Sequence, residues 1–162
     1  MKLNSIQIKS SIAFLIFLAL MAQSSMLHAR QGNQLNEKKE NEAAKIDADY
    51  WFNKGAICAT YGNDTAAIGY YKKAIKHDPQ NDIFYFALGV SFGEIGEYSK
   101  AIVYIDKAID LNPMKGLYYY GRARVWLLSG DKSRAMEDFF LARDLGSIDA
   151  RKYLKYIGHR YR

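Results

Sequence analysis

The feature that most restricts what this chain can fold into is a recurrence of small residues at a fixed step. Alanine stands at Ala67, Ala101 and Ala135 and again at Ala74, Ala108 and Ala142, each 34 residues from the last. Glycine keeps the same phase at Gly62, Gly96 and Gly130, and at Gly55 and Gly89, where Ala123 takes the third place. Both prolines, Pro79 and Pro113, obey the step, and Ser147 stands where a third is due. With alanine at roughly one residue in ten, one threefold match arises by chance about once in a thousand. Several columns in one phase therefore establish internal repetition.

Within each period apolar residues recur at helical spacing, as in Trp51, Gly55, Cys58 and in Ala67, Tyr71, Ala74, and each half is bounded by a breaker. The unit is thus a pair of antiparallel helices, expected near 48–61 and 64–77, 82–95 and 98–111, 116–129 and 132–145. Gly62, Gly96 and Gly130 are placed to end the first helix of each pair at positive φ, and Pro79 and Pro113 to stop the second. The small columns permit close backbone approach, while Tyr71, Ile105 and Phe139 fill the layer between units. After Asp149, the residues Ala150, Tyr153, Leu154 and Ile157 share one helical stripe, which predicts a helix over 148–158 covering the apolar end of the stack.

The order aromatic, Gly, aromatic, Gly, Ala, aromatic, Ala, Pro resembles the tetratricopeptide repeat. Trp51, Gly55, Cys58, Gly62, Ala67, Tyr71, Ala74 and Pro79 carry the resemblance in the first unit. Tyr85, Gly89, Phe92, Gly96, Ala101, Ile105, Ala108 and Pro113 carry it in the second. The third supplies Tyr119, Ala123, Trp126, Gly130, Ala135, Phe139 and Ala142 but lacks the proline. The expected fold is an all-α solenoid of helix-turn-helix repeats over 48–149 (48–81, 82–115, 116–149), with a capping helix and basic tail over 150–162.

Ahead of the repeats, Lys2 and Lys9 precede an unbroken apolar run from Ile12 to Ala22, followed by polar Gln23, Ser24 and Ser25. This is the order of a secretory signal. In a helix, the run spans about 16 Å, short of the roughly 30 Å of a bilayer core. Residues 1–29 are read as a signal peptide cleaved after Ala29, with Ser24 the alternative site and retention as an anchor the weaker reading. The protein is accordingly expected to be exported, periplasmic or secreted. The sole cysteine, Cys58, lies in a repeat column, so no internal disulfide can form and no lipid-modified terminus has a thiol near the cleavage site. Residues 30–47 hold no aromatic and a mixed-charge stretch, and are expected to form a solvated polar linker that becomes helical towards Ala43 and Ala44.

The net charge of +6 points towards anionic partners only if it is spread over the fold. It is not: residues 48–149 hold twelve bases and thirteen acids, whereas 150–162 hold five bases and no acid. Nucleic acid is therefore not an expected partner. No metal, phosphate-loop or nucleophile motif occurs, so neither an enzyme activity nor a cofactor is expected. Cys58 is expected to be buried in its core column, and pairs such as Glu94/Glu97 and Asp106/Asp110 to lie on solvated faces.

The resemblance implies binding. First helices of successive repeats line a concave groove in this family. Carried over residue by residue, that gives Asp49, Phe52, Ala56 and Thr60, then Ile83, Phe86, Val90 and Glu94, then Leu117, Tyr120, Arg124 and Leu128. Phe52, Phe86 and Tyr120 would form an aromatic row that holds a segment of another protein. The family's clamp for a C-terminal carboxylate uses Lys, Asn and Arg, and its positions here carry Phe52, Ala56, Ala87, Leu117 and Gly121. That clamp is missing. A rival surface is the tail, where Arg151, Lys152, Lys155, Arg160 and Arg162 are interleaved with tyrosines and could dock on anionic lipid or cell-wall polymer.

Overall fold

The computed structural model describes the backbone of residues 5–160, and every regular element among them is helical. Helix α1 spans Ser5–Thr60, α2 Asp64–His77, α3 Asp82–Glu94, α4 Tyr98–Leu111, α5 Gly116–Ser129, α6 Lys132–Asp144 and α7 Ile148–Arg160. The chain divides into a unit of residues 1–43 and a unit of residues 44–162. The first contains only the leading part of α1. Its described side chains are exposed, including Met26, Leu27 and Leu35. The anticipated linker 30–47 has exposed side chains wherever they are described, and it is helical throughout, not only towards Ala43 and Ala44. Between Gln34 and Asp47 it has no Gly or Pro and is rich in Glu, Lys and Ala, all good helix formers, so nothing breaks the helix before Ala48. Lys2 lies outside the described residues, as do the side chains of the apolar run except Met21. Among the described residues no helix is long and apolar enough to cross a membrane.

The second unit consists of stacked helical hairpins in the phase set by the repeat. Ala67, Ala101 and Ala135 are fully buried, as are Ala74, Ala108 and Ala142. Tyr71, Ile105 and Phe139 fill the layer beside them. At Gly89 a β-carbon would lie 2.6 Å from Ile105 Cγ1 and 2.9 Å from the Ala101 carbonyl oxygen. The small residues are therefore what lets α3 and α4 cross so closely.

Turn chemistry repeats with the same fidelity. Gly130, at φ 93°, donates to the Leu127 carbonyl, and Asp131 N–H donates to Trp126, so two terminal carbonyls of α5 are satisfied at once. The same pair of bonds closes α1 at Gly62 and α3 at Gly96. Asn63 and Asp131 then cap α2 and α6 through side-chain oxygens that accept from the backbone N–H of Ala66 and Arg134, and Asn81 caps α3 in the same way at Ile83, whereas α4 starts at Glu97 without a side-chain cap.

The third unit stops differently from the first two. Lacking a proline, α6 ends on Gly146 at φ 87°, with Gly146 donating to Arg143 and Ser147 to Ala142. Helix α7 then begins as the first helix of a further repeat would. Ala150 is fully buried, and the Tyr153 ring stacks on Phe139 at 4.2 Å between centroids. With Leu154 packed into the same cluster, the apolar stripe of α7 covers the end of the stack.

Candidate functional site

Helices α1, α3 and α5 present a common face, and the residues on it border a chain of hollows. The first, about 630 Å³, is bordered by Phe52 of α1, Ile83, Phe86, Val90 and Glu94 of α3, and Leu117 of α5, with Thr60 and Asp64 at one end. The second, about 290 Å³, is bordered by Phe86, Val90 and Glu94 together with Leu117, Tyr120, Arg124 and Leu128 of α5 and Asp149. Phe86, Val90, Glu94 and Leu117 belong to both, so the two hollows form one groove. A smaller hollow carries it past Tyr120, Arg124 and Leu128 to Tyr153 of α7. Ala56 borders a further, open depression with Asn53, Ile57, Thr60 and Tyr61, which meets the first hollow at Thr60. Asp49 is exposed and lies outside these hollows.

The aromatic row is tied inward at every member. Phe52 packs on Phe84 and Tyr71, with centroids 5.0 and 5.6 Å apart. Phe86 packs on Tyr118 at 4.8 Å, and Tyr120 on Phe139 at 5.7 Å. All three rings are half-buried, one side on the core and the other towards the groove. Phe86 lies over Gly121, where a β-carbon would overlap the ring. Phe84 and Tyr118, the inner supports, did not stand out in the sequence reading, although Tyr50, Phe84 and Tyr118 form another aromatic column at the 34-residue step.

Charge in the groove is mostly negative. Arg124, its cation, donates from Nη2 to Glu94 Oε1 at 3.3 Å, bridging α5 and α3. Asp64 and Asp149 border the hollows without an ion pair among the described residues. Behind the groove, Asp82 accepts from the Tyr118 hydroxyl at 2.8 Å and Asn112 Nδ2 at 2.9 Å, with Lys115 Nζ at 3.7 Å. Burial alone would raise the Asp82 pKa, but those hydrogen bonds and the lysine outweigh it and hold the carboxyl below its ordinary value. Tyr118 is pushed the other way, by burial and by its bond to the same carboxylate.

Two expectations about individual residues need correcting. Asp106 does not lie on a purely solvated face: Arg122 Nη1 donates to its Oδ1 at 2.6 Å, while Arg122 Nε and Nη2 grip buried Asp138 at 2.8 and 2.7 Å. Asp138 above all, and then Asp106, raises the guanidinium pKa against the effect of burial. The pairing joins α4, α5 and α6, a relation that helical spacing along one chain segment cannot reveal. Glu94 and Glu97 are exposed as expected, Glu94 pairing with Arg124 at the surface. Cys58 is half-buried rather than buried.

On α7, Arg151, Lys152 and Lys155 are exposed and form no ion pair among the described residues. The Arg160 side chain and all of Arg162 lie outside the described residues. No group of three or more His, Cys, Asp and Glu suited to a metal ion occurs among the described residues.

A tetratricopeptide-repeat sequence model matches residues 48–81, and a second tetratricopeptide-repeat model matches residues 70–103. Residues 48–103 thus carry tetratricopeptide repeats. The second match starts inside α2, since a stack of hairpins can be counted from either helix. The third hairpin lies beyond the matched residues and joins the array through its packing. No curated protein sequence matches the chain. Among solved structures, the TPR domain of Arabidopsis OM64 is similar, with TM-score 0.66 and 19% identity over 72% of this chain and 98% of that one. The first TPR of Spaghetti (RPAP3), bound to the HSP90 peptide SRMEEVD, gives TM-score 0.64 and 19% identity over 72% and 94%. The Yersinia enterocolitica type III secretion translocator chaperone SycD gives 0.63 and 16% over 70% and 88%. At these identities the likeness is one of fold: stacked tetratricopeptide helix-turn-helix hairpins, a scaffold that typically serves protein–protein interaction and is generally non-catalytic.

Proposed function

We propose that this is an exported, non-catalytic adaptor that holds a segment of another protein in the groove of α1, α3 and α5. The observation that carries the reading is the continuity of that groove, in which Phe86, Val90, Glu94 and Leu117 are shared by two adjoining hollows. A chain of half-exposed aromatic and aliphatic side chains on rigid helices offers anchor pockets at fixed spacing. Tetratricopeptide domains such as the first TPR of Spaghetti hold a peptide, there the acid-rich SRMEEVD. The partner here is of another kind, because Phe52, Ala56, Ala87, Leu117 and Gly121 replace the charged and amide groups that would grip a terminal carboxylate. Export rests on the basic, apolar and polar order of residues 1–29.

Crosslinking in the native host, from a photoreactive residue placed at Leu128, tests the groove. Capture of one defined partner there, and not from a residue placed on the outer surface at Val103, is the expected result. N-terminal sequencing of the native protein is expected to find Arg30 first. Only full-length chain would replace export of a cleaved product with an anchored one.

A further inference from the structure

The groove combines apolar walls with a negative balance of charge. Its charged border is Asp64, Glu94, Asp149 and Arg124, and the single guanidinium is already engaged by Glu94 at 3.3 Å. Asp64 and Asp149 stand in the first turns of α2 and α7, at separate places along the groove, with Phe86, Val90, Leu117 and Leu128 among the apolar residues between them. An occupant with acidic side chains would meet uncompensated like charge there, whereas a purely apolar one would leave two carboxylates to lose water without a partner. From this complementarity we infer that the groove recognises a protein segment in which aromatic or aliphatic side chains are flanked by Lys or Arg. The apolar side chains enter the hollows beside Phe86 and Leu128, and the cations meet Asp64 and Asp149. Among the described residues that border these hollows, Arg124 is the only Lys or Arg. The inference rests on the groove being the binding surface, as proposed above.

Panning the full chain against a displayed library of random dodecapeptides in low salt tests it without knowledge of the natural partner. The expected harvest is enriched in aromatic and aliphatic residues and, by about twofold or more over the unselected library, in Lys and Arg, with Asp and Glu depleted. Capture should fail on Leu128→Ser, which alters an exposed groove residue and leaves the core intact. In Asp64→Asn/Asp149→Asn the apolar preference should persist and the basic one disappear. Peptides that need Leu128 but are neutral or acidic would overturn the cationic preference and leave the groove reading standing. An empty harvest, or peptides indifferent to Leu128→Ser, would overturn both.

Discussion

The ring of Phe86 lies against the α-carbon of Gly121, so that the groove wall on α3 is seated directly on the backbone of α5. A β-carbon at that position would push the ring, and the ring's outer edge can swing towards the open hollow. Gly121→Ala is therefore expected to change stability by no more than about 1 kcal/mol, because a gain in helix propensity of about that size offsets the displacement. Thermal melts check this. Binding of groove-selected peptides should nevertheless weaken, since Phe86 now fills space a ligand would use.

Gly89 provides the contrast. A β-carbon there would lie 2.9 Å from the Ala101 carbonyl oxygen, which belongs to backbone and cannot swing aside. Gly89→Ala should cost about 1–3 kcal/mol in urea unfolding despite the propensity gain, and Ala101→Leu at the same crossing at least as much. Unchanged midpoints in both would contradict the close approach of α3 and α4.

Removing Arg122 leaves the buried carboxylate of Asp138 without its two-pronged partner. Arg122→Met should destabilise by about 3 kcal/mol. Arg122→Met/Asp138→Leu should recover most of that, because an apolar pair replaces a desolvated ionic one. Arg122→Lys should sit between, since an ammonium cannot serve Asp138 and Asp106 with the same fork. Chemical denaturation of the four proteins separates these outcomes.

Asp82 predicts an acid-sensitive contribution. Its folded-state pKa lies below the ordinary 3.8, so the folded protein resists protonating it. The stability it adds is full above the ordinary carboxylate range and is lost as pH falls through 3.8 and below. Urea midpoints measured from pH 7 down to about 2 should fall less steeply for Asp82→Asn than for the unaltered chain, with the two curves converging at the acid end.

Salt distinguishes the groove from the basic tail. Binding anchored at Phe86 should lose about 2 kcal/mol or more on Phe86→Ala and respond weakly to Lys152→Ala/Lys155→Ala. Docking of the tail on anionic lipid should fall sharply between low and physiological ionic strength and depend on the two lysines. Vesicle flotation, run beside a peptide-binding assay, reads both. Abolition by the lysine pair with normal binding by Phe86→Ala would make the tail the functional surface.

Much of the architecture was legible in the sequence because it is local and periodic. Whether Gly62, Gly96 and Gly130 end a helix depends on a few neighbouring residues, and the columns of Ala67, Ala101 and Ala135 recur because every unit solves the same packing problem. Gly146 escaped that reading, since it takes over a stop that the earlier units make with proline, and only the backbone of α6 shows the substitution. Helix in 30–47 is expected from the sequence only towards Ala43 and Ala44, yet it runs through the whole segment: charge and lack of aromatics reveal that a segment stays in water, not how far its backbone is helical there.

The sequence by itself determined the 34-residue unit, the helices in it, the small columns at their crossings and the apolar stripe that lets α7 close the stack. Each depends on spacing along the chain, which one-dimensional order contains in full. Tertiary structure decided the rest: that Arg122 spans Asp106 and Asp138, that Arg124 is taken up by Glu94, that Phe86 rests on Gly121, and that Asp64 and Asp149 border one apolar groove. Those are relations between residues 16 to 30 or more positions apart, and their charges and rings acquire a meaning only when packing of the helices brings them together.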